Sequence, residues 1–269
     1  AITDYNEAIK LNPKYADAFN NRGWAYSDKG EYDRAITDYN EAIKLNPKYA
    51  EAFYNRGIVY YNKGKLDLAI ADYNEAIKLN PKYAEAFINR GIYYSDKREY
   101  DRAIADYNEA IKLDPKNADA FNNRGNAYYG KGEYDRAIAD YNEAIQLNPK
   151  NADAFNNRGN AYNSKGEYDR AITDFTGAIQ LNPKFAAPFN NRGFAYNSKR
   201  EYDRAITDFT GAIQLNPKYA EALIGLGIAY EQKGDKGKAI ENYRQALAVT
   251  QNPQVKEFAQ GKMKQLEGK

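Results

Sequence analysis

The 269-residue chain contains no cysteine and no histidine, and only one methionine and one tryptophan. Without cysteine there is no disulfide, no thiolate nucleophile and no thiolate metal site. Without histidine the commonest general base and the commonest metal ligand are both missing. A surplus of one charge is missing too: 39 Lys plus Arg stand against 37 Asp plus Glu, leaving +2. So small an excess gives neither the electrostatic footprint of a nucleic-acid binder nor a polybasic membrane anchor. No apolar run approaches the ~18 residues of a membrane span. The opening Ala1-Ile2-Thr3-Asp4 lacks the charged and apolar regions of a signal peptide. These absences argue against an enzyme and leave metals and cofactors without visible ligands. They do not name a compartment, for which cytoplasmic is the default.

What is present is a ruler. Pro13, Pro47, Pro81, Pro115, Pro149, Pro183 and Pro217 each lie 34 residues from the next. In that frame a partial unit covers 1–15, seven full units run from Ala16 to Pro253, and a tail closes the chain over 254–269. No insertion breaks the register, so the spacing predicts a single continuous array over 1–269. Ala1 corresponds to Ala35, which places the start of the chain inside a second helix and suggests a piece of a longer array.

Each unit carries two helical patterns. Phe19, Gly23 and Tyr26 fall on one stripe, and Ala35, Ile36, Tyr39, Ala42, Ile43 and Leu45 form a second, wider one. Between them Lys29-Gly30 suits a left-handed helix end, and Asp33 is placed to cap or charge-stabilise the second helix. Asn46-Pro47 stops that helix, because proline lacks the N–H to continue it. A hairpin of this kind cannot bury both faces alone and must stack on its neighbours. In the tail, Val255, Phe258, Ala259, Met263 and Leu266 fall on one face of an amphipathic capping helix.

The pattern Phe19-x2-Arg22-Gly23-x2-Tyr26, then Ala35-x3-Tyr39, Ala42 and Pro47, resembles the tetratricopeptide repeat, a 34-residue helix–turn–helix unit. It recurs as Phe121, Gly125, Tyr128, Ala137, Tyr141, Ala144 and Pro149, and covers essentially the whole chain. The resemblance implies an all-α fold, a right-handed superhelical α-solenoid with first helices lining its concave wall. One departure is systematic. The family's usual Leu before Gly is Arg at 22, 56, 90, 124, 158 and 192, and Leu226 only in the last unit. Asp38, Asp72, Asp106, Asp140, Asp174 and Asp208 accompany those arginines, and Asn242 accompanies Leu226. The joint change predicts an Arg–Asp pair within each hairpin.

Subtracting the framework isolates the candidates for function. Of 26 tyrosines, all but Tyr54, Tyr61, Tyr93 and Tyr129 occupy four repeating positions. Among phenylalanines only Phe194 and the cap residue Phe258 are off-pattern, and Trp24 stands alone. At about 100° per residue, the face of the first helix opposite its buried stripe carries Asp17, Asn20, Asn21 and Trp24. Carried over from the family, this face is a groove for ligands. Asn21, Asn55, Asn89, Asn123, Asn157 and Asn191 form one row along it, flanked by Asn20, Asn122, Asn156 and Asn190, with Asn126 and Asn160 beyond. A side-chain amide both donates and accepts, so such a ladder resembles those that hold extended peptides by their main chain. The row is expected to face solvent. Asn at this place is also common scaffold in the family, so both readings stand.

Chaperone-binding members grip a terminal carboxylate with cations on these helices, but here Asp17, Glu51, Glu85, Asp119, Asp153 and Glu221 stand instead. Acids repel a carboxylate terminus, so the groove should prefer neutral or basic segments. The Lys14, Lys48, Lys82 row along the loops is read as a solvated edge. The expectation is a non-enzymatic peptide-binding scaffold, with no cofactor, metal, nucleic acid or membrane. Its site residues would be the Asn21–Asn191 row with Trp24, Tyr54, Tyr61, Asn126, Tyr129, Asn160 and Phe194. The alternative is a structural spacer or an array that self-associates end to end.

Overall fold

The prolines and turn residues punctuate the chain where the ruler placed them. The computed structural model describes residues 1–268. It is all α-helical, with sixteen helices and no strand among the described residues. They fall into two compact units, 1–131 and 132–268. The first contains α1 (Ile2–Leu11), α2 (Ala16–Asp28), α3 (Tyr32–Leu45), α4 (Ala50–Asn62), α5 (Leu66–Leu79), α6 (Ala84–Asp96), α7 (Tyr100–Leu113) and α8 (Ala118–Gly130). The second contains α9 (Tyr134–Leu147), α10 (Ala152–Ser164), α11 (Tyr168–Leu181), α12 (Ala186–Ser198), α13 (Tyr202–Leu215), α14 (Ala220–Gln232), α15 (Lys236–Val249) and α16 (Pro253–Glu267). Within each unit, consecutive helices pack as hairpins and each hairpin stacks on the next, as an α-solenoid.

The core is made of small methyls around one large ring per hairpin. Ala35 and Ala42 are fully buried beside Tyr39, and the same trio returns as Ala69, Ala76 and Tyr73 and as Ala205, Ala212 and Phe209. The ring explains the glycine on the first helix. A Cβ on Gly57 would lie 2.7 Å from Tyr73 Cε1, so only glycine lets the two helices close on the ring.

The turn inside each hairpin is a left-handed helix end. Gly30 sits at φ 76°, and Glu31 N–H donates to Tyr26 O at 2.8 Å across it. Arg98 and Arg200 replace that glycine yet keep the same path, at φ 59° and 60°. Between hairpins, Asn46 is extended (φ −132°), and its Oδ1 accepts from the Lys48 backbone N–H at 3.1 Å. The residues around the lysine row therefore form a side-chain-closed turn.

Asp33 lies in the first turn of α3, where its charge suits the helix dipole, but it does not cap the helix. The cap position is Glu31, which makes no side-chain capping bond, and Asp33 instead accepts Lys63 Nζ of the following hairpin at 2.7 Å. The pair recurs as Lys131–Asp101 and Lys165–Asp135. In the tail, α16 packs Ala259, Val255, Met263 and Leu266 against Leu223, Ile224 and Tyr243. Phe258, placed on that buried face by its spacing, stands at its edge and is 41% exposed.

Candidate functional site

In the hairpins α2–α3, α4–α5, α6–α7, α10–α11 and α12–α13 an arginine fixes the first helix to its partner. Arg22 donates through Nε and Nη2 to the two Asp38 oxygens, both at 2.7 Å, and through Nη1 to Asn6 Oδ1 on α1, also at 2.7 Å. Its guanidinium lies 5.4 Å from the Phe19 ring centre. Arg56, Arg90 and Arg158 repeat the arrangement with Asp72 and Asn40, Asp106 and Asn74, and Asp174 and Asn142. At Arg192 the third contact is Thr176 Oγ1. The pairing within the hairpin is the one the Leu226–Asn242 change predicted. The link back to the preceding second helix was not anticipated, although Asn6, Asn40 and Asn74 recur at fixed spacing. The bond from Asp106 raises the Arg90 pKa against its burial. Burial raises the Asp72 carboxyl, with Arg56 opposing it.

With one face of the first helix clamped, the other presents the asparagines. In the first unit Asn21 is exposed and Asn55, Asn89 and Asn123 are half-buried. Their amides do not all point to solvent. Asn55 Nδ2 donates to Asn20 Oδ1 at 3.1 Å, and Asn20, 1% exposed, donates to Glu51 at 3.3 Å. Asn89 Nδ2 donates to the Tyr54 hydroxyl at 3.0 Å. In the second unit Asn191 Nδ2 donates to the buried Asn156 Oδ1 at 3.0 Å. The row therefore joins neighbouring first helices through its nitrogens, and Asn55 and Asn89 keep Oδ1 available as an acceptor. The amides at 20, 156 and 190, which the sequence places beside the row, are buried.

The off-pattern aromatics divide. Trp24 is 60% exposed on α2, and Tyr129 is exposed on α8. Tyr54 packs against Tyr83 and Tyr73, with ring centres 4.7 and 6.2 Å away, and burial pushes its phenol up to about 12. Tyr61 donates to the Asp96 carboxylate, and burial followed by that bond pushes it up to about 12. Phe194 meets Phe209 edge-on at 5.0 Å. Asn126 is exposed on α8 and Asn160 half-buried on α10. The acids Asp17, Glu51, Glu85, Asp119, Asp153 and Glu221 are all exposed at the first turns of their helices, where the helix dipole stabilises them. Among the described residues there is no His/Cys/Asp/Glu group arranged to hold a metal, and no helix is long and apolar enough to cross a membrane.

Sequence profiles described as TPR repeat match residues 1–30, 25–64, 94–132, 125–163 and 159–199. Others described as tetratricopeptide repeat match 50–83, 72–105 and 184–252. Among solved structures, one from the APC/C hetero-tetramer Cut9–Hcn1 is 21% identical, with a TM-score of 0.75 over 98% of this chain and 52% of that one. This chain thus spans about half its length. A tetratricopeptide repeat protein from Parabacteroides merdae is 21% identical, with a TM-score of 0.73 over 94% of this chain and 98% of its own. YrrB, described as a TPR protein with an unusual peptide-binding site, is 25% identical, with a TM-score of 0.54 over 70% of this chain and 97% of its own. No curated protein matches the chain in sequence.

Proposed function

Because this chain belongs to the tetratricopeptide repeat family, whose fold suits protein-binding scaffolds, we propose that it is a non-enzymatic interaction scaffold whose first-helix faces hold an extended segment of a partner protein. The observation that supports this reading is the pairing of an exposed acid with a half-buried amide one turn later on the first helices α4 and α6. Glu51 stands with Asn55 and Glu85 with Asn89. Each of these two amides is anchored through Nδ2, which orients Oδ1 to accept from a main-chain N–H. Anchored acceptors need little reorganisation on binding, and the acids select neutral or basic segments over carboxylate termini.

The test uses the whole chain and unstructured, end-blocked peptides that differ only in Lys, Ser or Glu content. Affinity should fall in that order. Asn89→Ala should weaken binding by ~0.5–1.5 kcal/mol, and preference for acidic peptides would overturn the reading.

A further inference from the structure

The amide ladder of the second unit ends abruptly. Asn156 Oδ1 accepts from Asn191 of the next first helix, as Asn20 Oδ1 does from Asn55. The same step from Asn190 arrives at Gly225, which has no side chain to donate. A side chain there is excluded, because a Cβ on Gly225 would lie 2.4 Å from the Phe209 ring. Asn190 is 5% exposed, and its Oδ1 is buried without any hydrogen-bond partner. A buried acceptor left this way carries an unmet desolvation cost.

The same residue lines a pocket of about 350 Å³, walled by Phe194 of α12, Ile224 of α14 and Val255 and Phe258 of α16. Glu221 also lines it, exposed and in no ion pair among the described residues, whereas its counterpart Glu51 accepts from Asn20. Apolar walls, an unpaired acceptor and an unneutralised carboxylate therefore meet at one place, at the lower end of the ~300–1,000 Å³ range of ligand pockets.

We propose that this pocket is an anchor subsite for one apolar side chain, of leucine or phenylalanine size, on a partner peptide. The peptide's N–H supplies the donor that Asn190 lacks, and a flanking lysine or arginine faces Glu221. The inference rests on the scaffold reading above and gives it a fixed point. The occupant follows from the chemistry: the walls select the apolar side chain, the acceptor an amide N–H, and the carboxylate a cation beside it.

The experiment titrates the isotopically labelled full chain with the end-blocked peptide Gly-Ser-Phe-Lys-Ser-Gly and follows backbone and side-chain amide signals. Signals of Asn190, Phe194, Ile224 and Phe258 should shift. Replacing Phe by Ala in the peptide, or filling the pocket with Val255→Trp, should weaken binding about tenfold, as loss of a buried anchor does. Glu221→Lys, at an exposed position, should reverse the preference between the Lys peptide and its Glu counterpart. Shifts confined to Asn21, Asn55 and Asn89 would overturn the subsite and leave the scaffold reading intact. Shifts confined to the pocket would support the subsite and remove the Asn55 and Asn89 row from the peptide's path. Pocket shifts on dilution of the chain alone would assign the pocket to a second copy and overturn the proposal, as would no shift anywhere.

Discussion

Arg90 and Asp106 face each other across the α6–α7 hairpin with two parallel hydrogen bonds, 2.8 Å from Nε and 2.6 Å from Nη2. The aspartate side chain is 7% exposed and the arginine 20%. Asp106→Asn leaves the guanidinium facing a group that no longer balances its charge. Breaking one partner of a buried pair costs ~3–5 kcal/mol, and the surviving Asn74 bond places this case at the lower end. Arg90→Leu combined with Asp106→Asn, the pair already present as Leu226 and Asn242, should cost clearly less. Denaturant unfolding of the two singles and the double checks this, and zero coupling energy would remove the pair from the account of stability.

Arg98 and Arg200 hold φ near +60°, where a Cβ crowds the following carbonyl. Arg98→Gly and Arg200→Gly should each stabilise the chain by ~1 kcal/mol. Thermal melts should move upward for both variants. A fall in both would show that their side chains contribute more than the backbone strain removes.

Two glycine substitutions should have opposite signs. Gly57→Ala puts a methyl 2.7 Å from the Tyr73 ring, and such overpacking costs ~1–3 kcal/mol. Gly261→Ala, in the interior of α16 with nothing within 4 Å of the new Cβ, should gain ~0.5–1 kcal/mol from helix propensity. Equal shifts in melting temperature would contradict the packing assigned to the ring.

Alkali should unfold the protein through its tyrosines. Burial pushes Tyr54 and Tyr61 up to about 12 and raises Tyr39, Tyr73 and Tyr107 further, against ~10 for an unfolded tyrosine. The folded state favours the neutral phenol. Its contribution is complete below pH ~10 and is lost as pH rises toward the folded values. Tyrosinate absorbance followed with circular dichroism should show these residues ionising together with loss of helix. Ionisation of all tyrosines near the unfolded value, with helix retained, would contradict the burial.

The asparagines should separate by their bonds. Asn55→Ala removes the donor to buried Asn20 Oδ1 and should cost ~1–3 kcal/mol of stability. Asn21→Ala, exposed and accepting only a 3.4 Å contact from Asn20, should stay within ~0.5 kcal/mol of the parent. Chemical denaturation of both variants decides it, and equal losses would count against the inter-helix bond.

Much of this was legible because the chain repeats its own punctuation. Pro47 and its equivalents fixed where second helices end, and the Leu226–Asn242 exception disclosed which aspartate each arginine meets. The Asn55–Asn20 bond was not legible. A 34-residue period says which residues are equivalent, not how far one first helix is rotated against the next, and that rotation decides whether an amide meets solvent or its neighbour. Phe258 failed for a related reason. A helical wheel shows that it shares a face with Val255 and Met263, but not where the surface beneath α16 stops. The place where the row stops, at Gly225, is explained only by the 2.4 Å approach of Phe209, and the orphaned Asn190 Oδ1 gives it a consequence.

The alanine-lined interior has a calorimetric consequence. Helices that meet through methyls such as Ala35, Ala42, Ala69 and Ala76, around one ring per hairpin, expose less hydrocarbon per residue on separating than leucine-lined helices do, while their peptide groups become hydrated. Apolar hydration raises the heat capacity and polar hydration lowers it. The unfolding increment per residue is therefore held toward or below the low end of the usual ~12–15 cal/mol/K. A small increment flattens the curve of free energy against temperature, so this chain's stability varies slowly between cold and warm conditions.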